Sequence, residues 1–207
     1  MKAKVPMSSD PKSRQNSAKL VTNRGYLPHF HHPDAIQHVT FRLADSVPVA
    51  VIERWRRELE SESDVVSHAD SFAARLQERI ERYADAGYGA CWLSRPDIAV
   101  LVVEVLCHFD GARYGLLEWC VMPNHVHVLL RADRGHSVSD IVRGWKALSA
   151  RRANVVLARK GTFWSVDYFD RFIRDSDHLQ ACRTYIKHNP VAAGLVAVAG
   201  DWPWSSR

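Results

Sequence analysis

The sequence holds no apolar run near the roughly 18 residues that a membrane-spanning helix needs, so no membrane association is expected. Cysteine is scarce: 4 residues, at positions 91, 107, 120 and 182, with no Cys-x-x-Cys spacing. That argues against a zinc knuckle and a disulfide frame, and for reduced, mostly buried thiols of a cytoplasmic protein. The opening Met1-Lys2-Ala3-Lys4-Val5-Pro6 lacks an apolar core segment, so no secretory signal is expected. Acidic residues are the scarcer charge, 23 against 28 Lys plus Arg, which leaves a formal net charge of +5. A positive excess favours an anionic partner, of which nucleic acid is the usual one. Aromatics are plentiful, with 7 Trp among 207 residues, enough for one well-buried domain with elaborations.

The stretch that organises the chain is Cys120-Val121-Met122-Pro123-Asn124-His125-Val126-His127-Val128-Leu129-Leu130. Side chains on a strand repeat every two residues, so His125 and His127 share one sheet face and Val126 and Val128 the other. Two adjacent imidazoles are half of a metal site, although cross-strand histidines are also common in cores. Met-Pro-Asn reads as the turn of a hairpin that returns 114–121 against 125–131.

Residues 1–24 are polar and basic and read as a disordered tail. The following Gly25-Tyr26-Leu27-Pro28-His29-Phe30-His31-His32-Pro33 reads as a loop. Its aromatic and His side chains suit base stacking better than metal binding, with Tyr26 as a candidate DNA contact. A strand is expected over 37–43, with Val39, Phe41 and Leu43 on one face. Charged helices follow over 49–61 and about 63–86, stopped by Gly87. A further helix spans about 96–109, started by Ser94 and Pro96, with Ile98, Val102, Val105 and Leu106 as its apolar stripe. Ser137 or Ser139 caps a helix to about 158. Its Arg143, Lys146, Arg151 and Arg152, with few acids among them, suit phosphate contacts. An extended segment covers about 167–174, and Asp175-Ser176-Asp177 opens a final helix that stops at His188-Asn189-Pro190.

Tyr185 and Asn189 are four residues apart, and so lie on one helix face. Pro190 pushes Asn189 toward an extended, helix-end conformation, where it also reads as a plain C-terminal cap. His125, His127 and Asn189 would make an N,N,O set with open positions, suited to Mg²⁺ or Mn²⁺ holding a phosphate. A phenol beside such a phosphate is a potential nucleophile. No general base stands out in the sequence.

Together these residues resemble those of the REP-associated tyrosine transposases, a branch of the single-tyrosine HUH transposases of small insertion sequences. The resemblance rests on Met122-Pro123-Asn124-His125-Val126-His127, on Asp167-Tyr168-Phe169-Asp170-Arg171, on Tyr185-Ile186-Lys187-His188-Asn189-Pro190-Val191 and on Asp201-Trp202-Pro203-Trp204-Ser205-Ser206. It implies an α+β, ferredoxin-like domain with a central antiparallel sheet flanked by helices. It implies His125, His127 and Asn189 as metal ligands, and Tyr185 as a nucleophile that forms a 5′-phosphotyrosine and frees a 3′-hydroxyl. The implied partner is single-stranded or hairpin DNA of a repeated palindromic element. The expected organisation is a tail over 1–24 and one domain over 25–207, monomeric or homodimeric, with a helical insertion over 49–86. A DNA-hairpin binding protein without catalysis, or a metal-dependent RNA enzyme, would fit the composition too.

Overall fold

The computed structural model describes residues 20–23, 28–31, 35–61 and 69–207. The alternating segment that begins the domain forms β3 (Ile36–Arg42), and the hairpin forms β4 (Tyr114–Val121) and β5 (His125–Ala132). A short β6 (Phe169–Phe172) completes an antiparallel sheet of order β4-β5-β3-β6. Helices α1 (Val49–Ser61), α2 (Ala69–Asp85) and α3 (Pro96–Cys107) join β3 to β4. Helix α4 (Val138–Val156) joins β5 to β6, and α5 (Ser176–Ala192) follows β6. Strands and crossovers in this order are the ferredoxin-like α+β arrangement that the resemblance implies.

Strand period two decides which side of the sheet does what. Val39, Phe41 and Leu43 point with Val126, Val128 and Leu130 to one face, and pack with Ile98, Val102, Val142 and Trp145 of α3 and α4. Each such fully buried side chain contributes about 1.5–3 kcal/mol. His38 and Thr40, and His125 and His127, are therefore left on the opposite face. There α5 packs through Cys182 and Ile186 against Cys120, Met122 and Leu129. The pair α1–α2 closes its own small core, with Ile52, Leu59, Leu76 and Ile80 around Phe169. Its outer surface carries the expected solvated ion pairs, Arg54 with Glu58, Arg56 with Glu60 and Arg79 with Glu58.

Several boundaries differ from the sequence expectation. Leu20–Asn23 is not structureless but forms β1, antiparallel to β2 (Pro28–His31) in what was expected to be a loop. Leu20, Val21 and Thr22 are strand formers, which the polar composition around them concealed. The rest of the expected tail, and Tyr26, lie outside the described residues. Helix α2 is described from Ala69, and α3 ends at Cys107. The cap of α3 is Arg95, extended at φ −75° and ψ 125°, rather than Ser94. A proline at the first helical position forces the residue before it out of helical geometry, so the boundary falls one residue later. Only Phe169–Phe172 of the extended 167–174 segment pairs as a strand. Of the four thiols, Cys120 and Cys182 are buried, Cys91 is half-buried and Cys107 is exposed.

Two hydroxyl contacts fasten this frame. Tyr114 Oη donates to the Leu106 carbonyl at 2.7 Å and accepts from Trp145 Nε1 at 2.8 Å. Tyr114→Phe removes both partners inside the core and is expected to lower stability by about 1–3 kcal/mol in urea unfolding. The aromatic tail packs back as expected. Val121 N–H donates to the Trp204 carbonyl at 2.8 Å and Trp202 Nε1 to the Val121 carbonyl at 3.0 Å, covering the edge of β4.

Candidate active site

His125 and His127 are 1 % and 0 % exposed, and their Nε2 atoms stand 3.0 Å apart. Which nitrogen carries each proton follows from the hydrogen-bond network. The Asn124 amide nitrogen donates to the carbonyls of Ala84 and Tyr88, 2.9 Å each, so its oxygen faces His125 Nδ1 at 2.8 Å and accepts from it. Thr40 donates to Glu81 Oε1 at 3.3 Å, and its oxygen therefore accepts from His127 Nδ1 at 3.0 Å. A neutral imidazole protonated at Nδ1 keeps a lone pair on Nε2. Both Nε2 lone pairs thus face each other, an arrangement that a cation between them would relieve.

Burial keeps the rings neutral: the His125 pKa is pushed down to about 3, that of His38 to about 4, and that of His127 well below its ordinary value. His38, which the sequence reading passed over, stacks on His127 with ring centroids 5.4 Å apart.

Helix α5 supplies the other half of the site. Asp175 caps it by accepting from the His178 N–H, as expected. The helix does not stop at Asn189. It runs through Pro190 to Ala192, and the Ala193 N–H donates to the Asn189 carbonyl at 2.9 Å. Proline forfeits its own N–H bond and crowds the carbonyl one turn back, yet α5 continues past it with Asn189 in its last turns. Asn189 is 2 % exposed, and its Oδ1 is buried without a hydrogen-bond partner. One turn earlier, Tyr185 places its ring 5.4 Å from that of His127, nearly perpendicular to it.

The surprise is α2. Gln77, Glu81 and Asp85 repeat every four residues along one face of this helix, and that face looks at the histidines. Tyr185 Oη donates to Glu81 Oε2 at 3.1 Å, while Gln77 donates to Glu81 Oε1 at 2.9 Å. Burial holds the Glu81 carboxyl above the usual range, and the nearby Asp85 adds to this; the hydrogen bonds from Gln77, Tyr185 and Thr40 oppose it. Burial, then the charges of Glu81 and Asp85, push the Tyr185 phenol well above its ordinary value, against the Asn189 amide. Gly87 ends α2 at φ +77°, and Gly89 (φ +90°) comes so close to the Asp45 carbonyl that a Cβ would sit 2.8 Å from its oxygen. Glycine is required there, and the turn it permits presents the Tyr88 carbonyl to Asn124. The four-residue spacing of Gln77, Glu81 and Asp85 was the signal available in the sequence, hidden among the salt-bridging residues of the same helix.

Asp85 Oδ1 lies 3.5 Å from His125 Nε2 and has no hydrogen-bond partner. Burial pushes its carboxyl up to about 6. A carboxyl raised from its unfolded 3.8 favours folding at low pH, and that contribution is lost as pH rises through about 6. Asp85→Asn is therefore expected to stabilise the protein by about 1–2 kcal/mol at pH 7.5 in EDTA, a gain that fades below pH 6 in a thermal-melt series. An unchanged melting temperature at pH 7.5 would show that the carboxylate is already compensated.

Among the described residues, no group of three or more His, Cys, Asp and Glu side chains stands ready for a metal ion. The residues do fit one divalent ion. Two ligands at right angles, about 2.1 Å from one ion, stand about 3.0 Å apart. The unpartnered Asn189 oxygen is a further candidate donor, on α5. A cavity of about 20 Å³ beside His125, lined also by Thr40, Glu81 and Tyr168, has room for one water-sized occupant.

Helix α4 lies on the opposite face, so its basic residues are not brought to the histidines. Nor are they unbalanced: Arg143 pairs with Asp140 and Arg152 with Glu104, each at 2.6 Å. Lys146 Nζ donates to the Val166 carbonyl at 2.9 Å, and burial pushes its ammonium down to about 8, with Asp167 opposing and Arg42 assisting. Arg151 is exposed. Arg143 and Lys146 border a groove of about 640 Å³ whose far wall, Trp164 to Tyr168, is shared in part with the cavity beside His125.

Residues 104–189 match the family model described as transposase IS200 like. That span takes in both histidines, Tyr185 and Asn189. A Haemophilus influenzae protein named for the REP-associated tyrosine transposases is 28 % identical over 97 residues, 42 % of this chain and 55 % of that protein. Over part of its length the chain is similar to a REP-associated tyrosine transposase. The chain thus spans about half the length of this curated relative. A solved REP-associated tyrosine transposase bound to a REP hairpin superposes with a TM-score of 0.50 at 16 % identity, over 90 % of this chain and 82 % of the other. At that identity the superposition shows a shared fold alone. Of the described helices, none is long and apolar enough to cross a membrane.

Proposed function

We propose that this protein is a metal-dependent, transposase-type endonuclease and strand transferase acting on single-stranded DNA at hairpin elements. The observation that carries the reading is the convergence of two bare Nε2 atoms, the unpartnered Asn189 oxygen and the Tyr185 phenol on one sheet face. His125, His127 and Asn189 would hold Mg²⁺ or Mn²⁺, which when bound supplies charge neutralisation at the scissile phosphate. Tyr185 is the nucleophile: its oxygen forms the bond to phosphorus, the bond to the 3′-oxygen breaks, and a 5′-phosphotyrosine and a 3′-hydroxyl result. The rings of His38 and His127 hold the phenol beside the phosphate, and α1–α2 exclude water from that side.

The groove between α4 and residues 161–168, which Arg143 and Lys146 line together with Asp140 and Asp167 and which shares a wall with the cavity beside His125, supports a path for the DNA backbone toward the site. Lys146→Ala combined with Arg143→Ala is expected to flatten the slope of log affinity against log salt by about 1–2. An unchanged slope would place the phosphate contacts elsewhere.

The deciding experiment mixes the protein with labelled single-stranded hairpin DNA from the flanks of its own gene, with Mn²⁺, on a denaturing gel. A labelled band at protein size that disappears with EDTA, with the nucleotide on Tyr185 by peptide mass spectrometry, supports the reading. An adduct on Tyr168 would reassign the nucleophile. Chelator-resistant hairpin binding with no adduct would favour a hairpin-binding protein without catalysis.

A further inference from the structure

The α1–α2 segment, expected as an insertion, touches the reacting atom. Glu81 sits at the hub of four groups on four elements. It accepts from Tyr185 Oη of α5 through Oε2, and from Thr40 of β3 and Gln77 of α2 through Oε1. Through Thr40 it reaches His127 Nδ1 on β5. A carboxylate fixed at one oxygen by two donors and offering the other to a phenol is an oriented acceptor. Among the described residues, no other carboxylate accepts from the Tyr185 hydroxyl.

We propose that Glu81 is a catalytic residue that aims the Tyr185 phenol and accepts its proton as the oxygen–phosphorus bond forms. This role rests on the function proposed above. The proton passes from Tyr185 Oη to Glu81 Oε2, and the phenolic oxygen bonds to phosphorus. The bond from phosphorus to the 3′-oxygen breaks, and that oxygen leaves with the electron pair and takes a proton from water. When a 3′-hydroxyl later attacks the phosphotyrosine, it gives its own proton to water as its oxygen bonds to phosphorus, and the departing phenolic oxygen recovers the proton from Glu81. The same side chain thus serves cleavage and strand joining.

The test uses the full chain in three forms, wild type, Glu81→Gln and Glu81→Ala, with the labelled hairpin DNA and Mn²⁺ under single-turnover conditions. Glu81→Gln keeps the shape and the Gln77 and Thr40 neighbourhood but accepts no proton. Adduct formation is expected to slow by about 100-fold or more, with hairpin binding and Mn²⁺ binding, read by calorimetry, as in wild type. Formate is expected to restore part of the rate to Glu81→Ala and none to wild type. Adduct formation by Glu81→Gln at the wild-type rate would overturn the proposal. So would a loss of Mn²⁺ affinity parallel to the loss of rate, which would mean that Glu81 acts through the metal site. A folded Glu81→Ala protein that formate does not rescue would overturn it as well. A wild-type protein that forms no adduct would instead remove the nucleophile itself, and with it the function on which this role rests.

Discussion

Tyr185→Phe is expected to abolish the covalent DNA adduct, by on the order of 10⁴-fold or more, while hairpin DNA still binds with wild-type affinity. The variant loses the one atom that becomes bonded to phosphorus and nothing else of the ring. Tyr185 is 38 % exposed, so its hydroxyl is not a deep structural anchor. Phenylalanine keeps the edge-on contacts to His127 at 5.4 Å and His38 at 6.2 Å. Its cost is one hydrogen bond to Glu81, about 1 kcal/mol, and the folded state should survive that. A gel shift and a denaturing gel on the same samples separate the two outcomes. A persistent adduct of normal yield would exclude Tyr185 as nucleophile. Lost hairpin binding would show instead that the phenol belongs to the DNA-reading surface.

Asn124→Leu is expected to lower stability by roughly 3–5 kcal/mol and to weaken Mn²⁺ binding by about 10–100-fold. The Asn124 amide bridges three partners, the carbonyls of Ala84 and Tyr88 and the imidazole N–H of His125. Leucine is similar in size but leaves all three without this partner, in a place where Asn124 is 1 % exposed. The unpaired carbonyls loosen the end of α2 from the hairpin. The freed His125 ring is no longer held with its proton on Nδ1, and its Nε2 is no longer reserved for a cation. Urea unfolding and Mn²⁺ calorimetry measure the two effects independently. Normal metal affinity in a destabilised variant would show that the His125 tautomer is set by other contacts.

These two residues also mark what could be read in advance. Tyr185 and the His-Val-His pair were visible because strand period two and helix spacing four place side chains on faces without reference to anything distant. The same local rules delivered β3, the β4–β5 hairpin, the 49–61 helix and the Asp175 cap. Asn124 was visible only as a turn residue. Its partners Ala84 and Tyr88 lie 40 and 36 positions away, and nothing local connects them. Pro190 misled, because a proline's usual effect on its neighbour is a preference of isolated backbone, and packing of Ile186, Asn189 and Pro190 overrode it. The basic face of α4 read as unpaired because Glu104, its partner at Arg152, sits on another helix.

By itself, then, the sequence determined the elements from β3 onward, the ferredoxin-like order once its motifs were matched to a family, and the two halves of the candidate site on β5 and α5. Those depend on short-range periodicity and caps, which a linear chain displays. Only the tertiary structure decided that α2 closes the site, that Glu81 holds the phenol and that Asn124 sets a tautomer. It also decided that the basic helix lies behind the sheet. Each of these depends on where a strand face and a distant helix face meet, and that is settled by how α1 and α2 pack about Phe169 and how α5 packs on β4 and β5, not by any residue's neighbours in the chain.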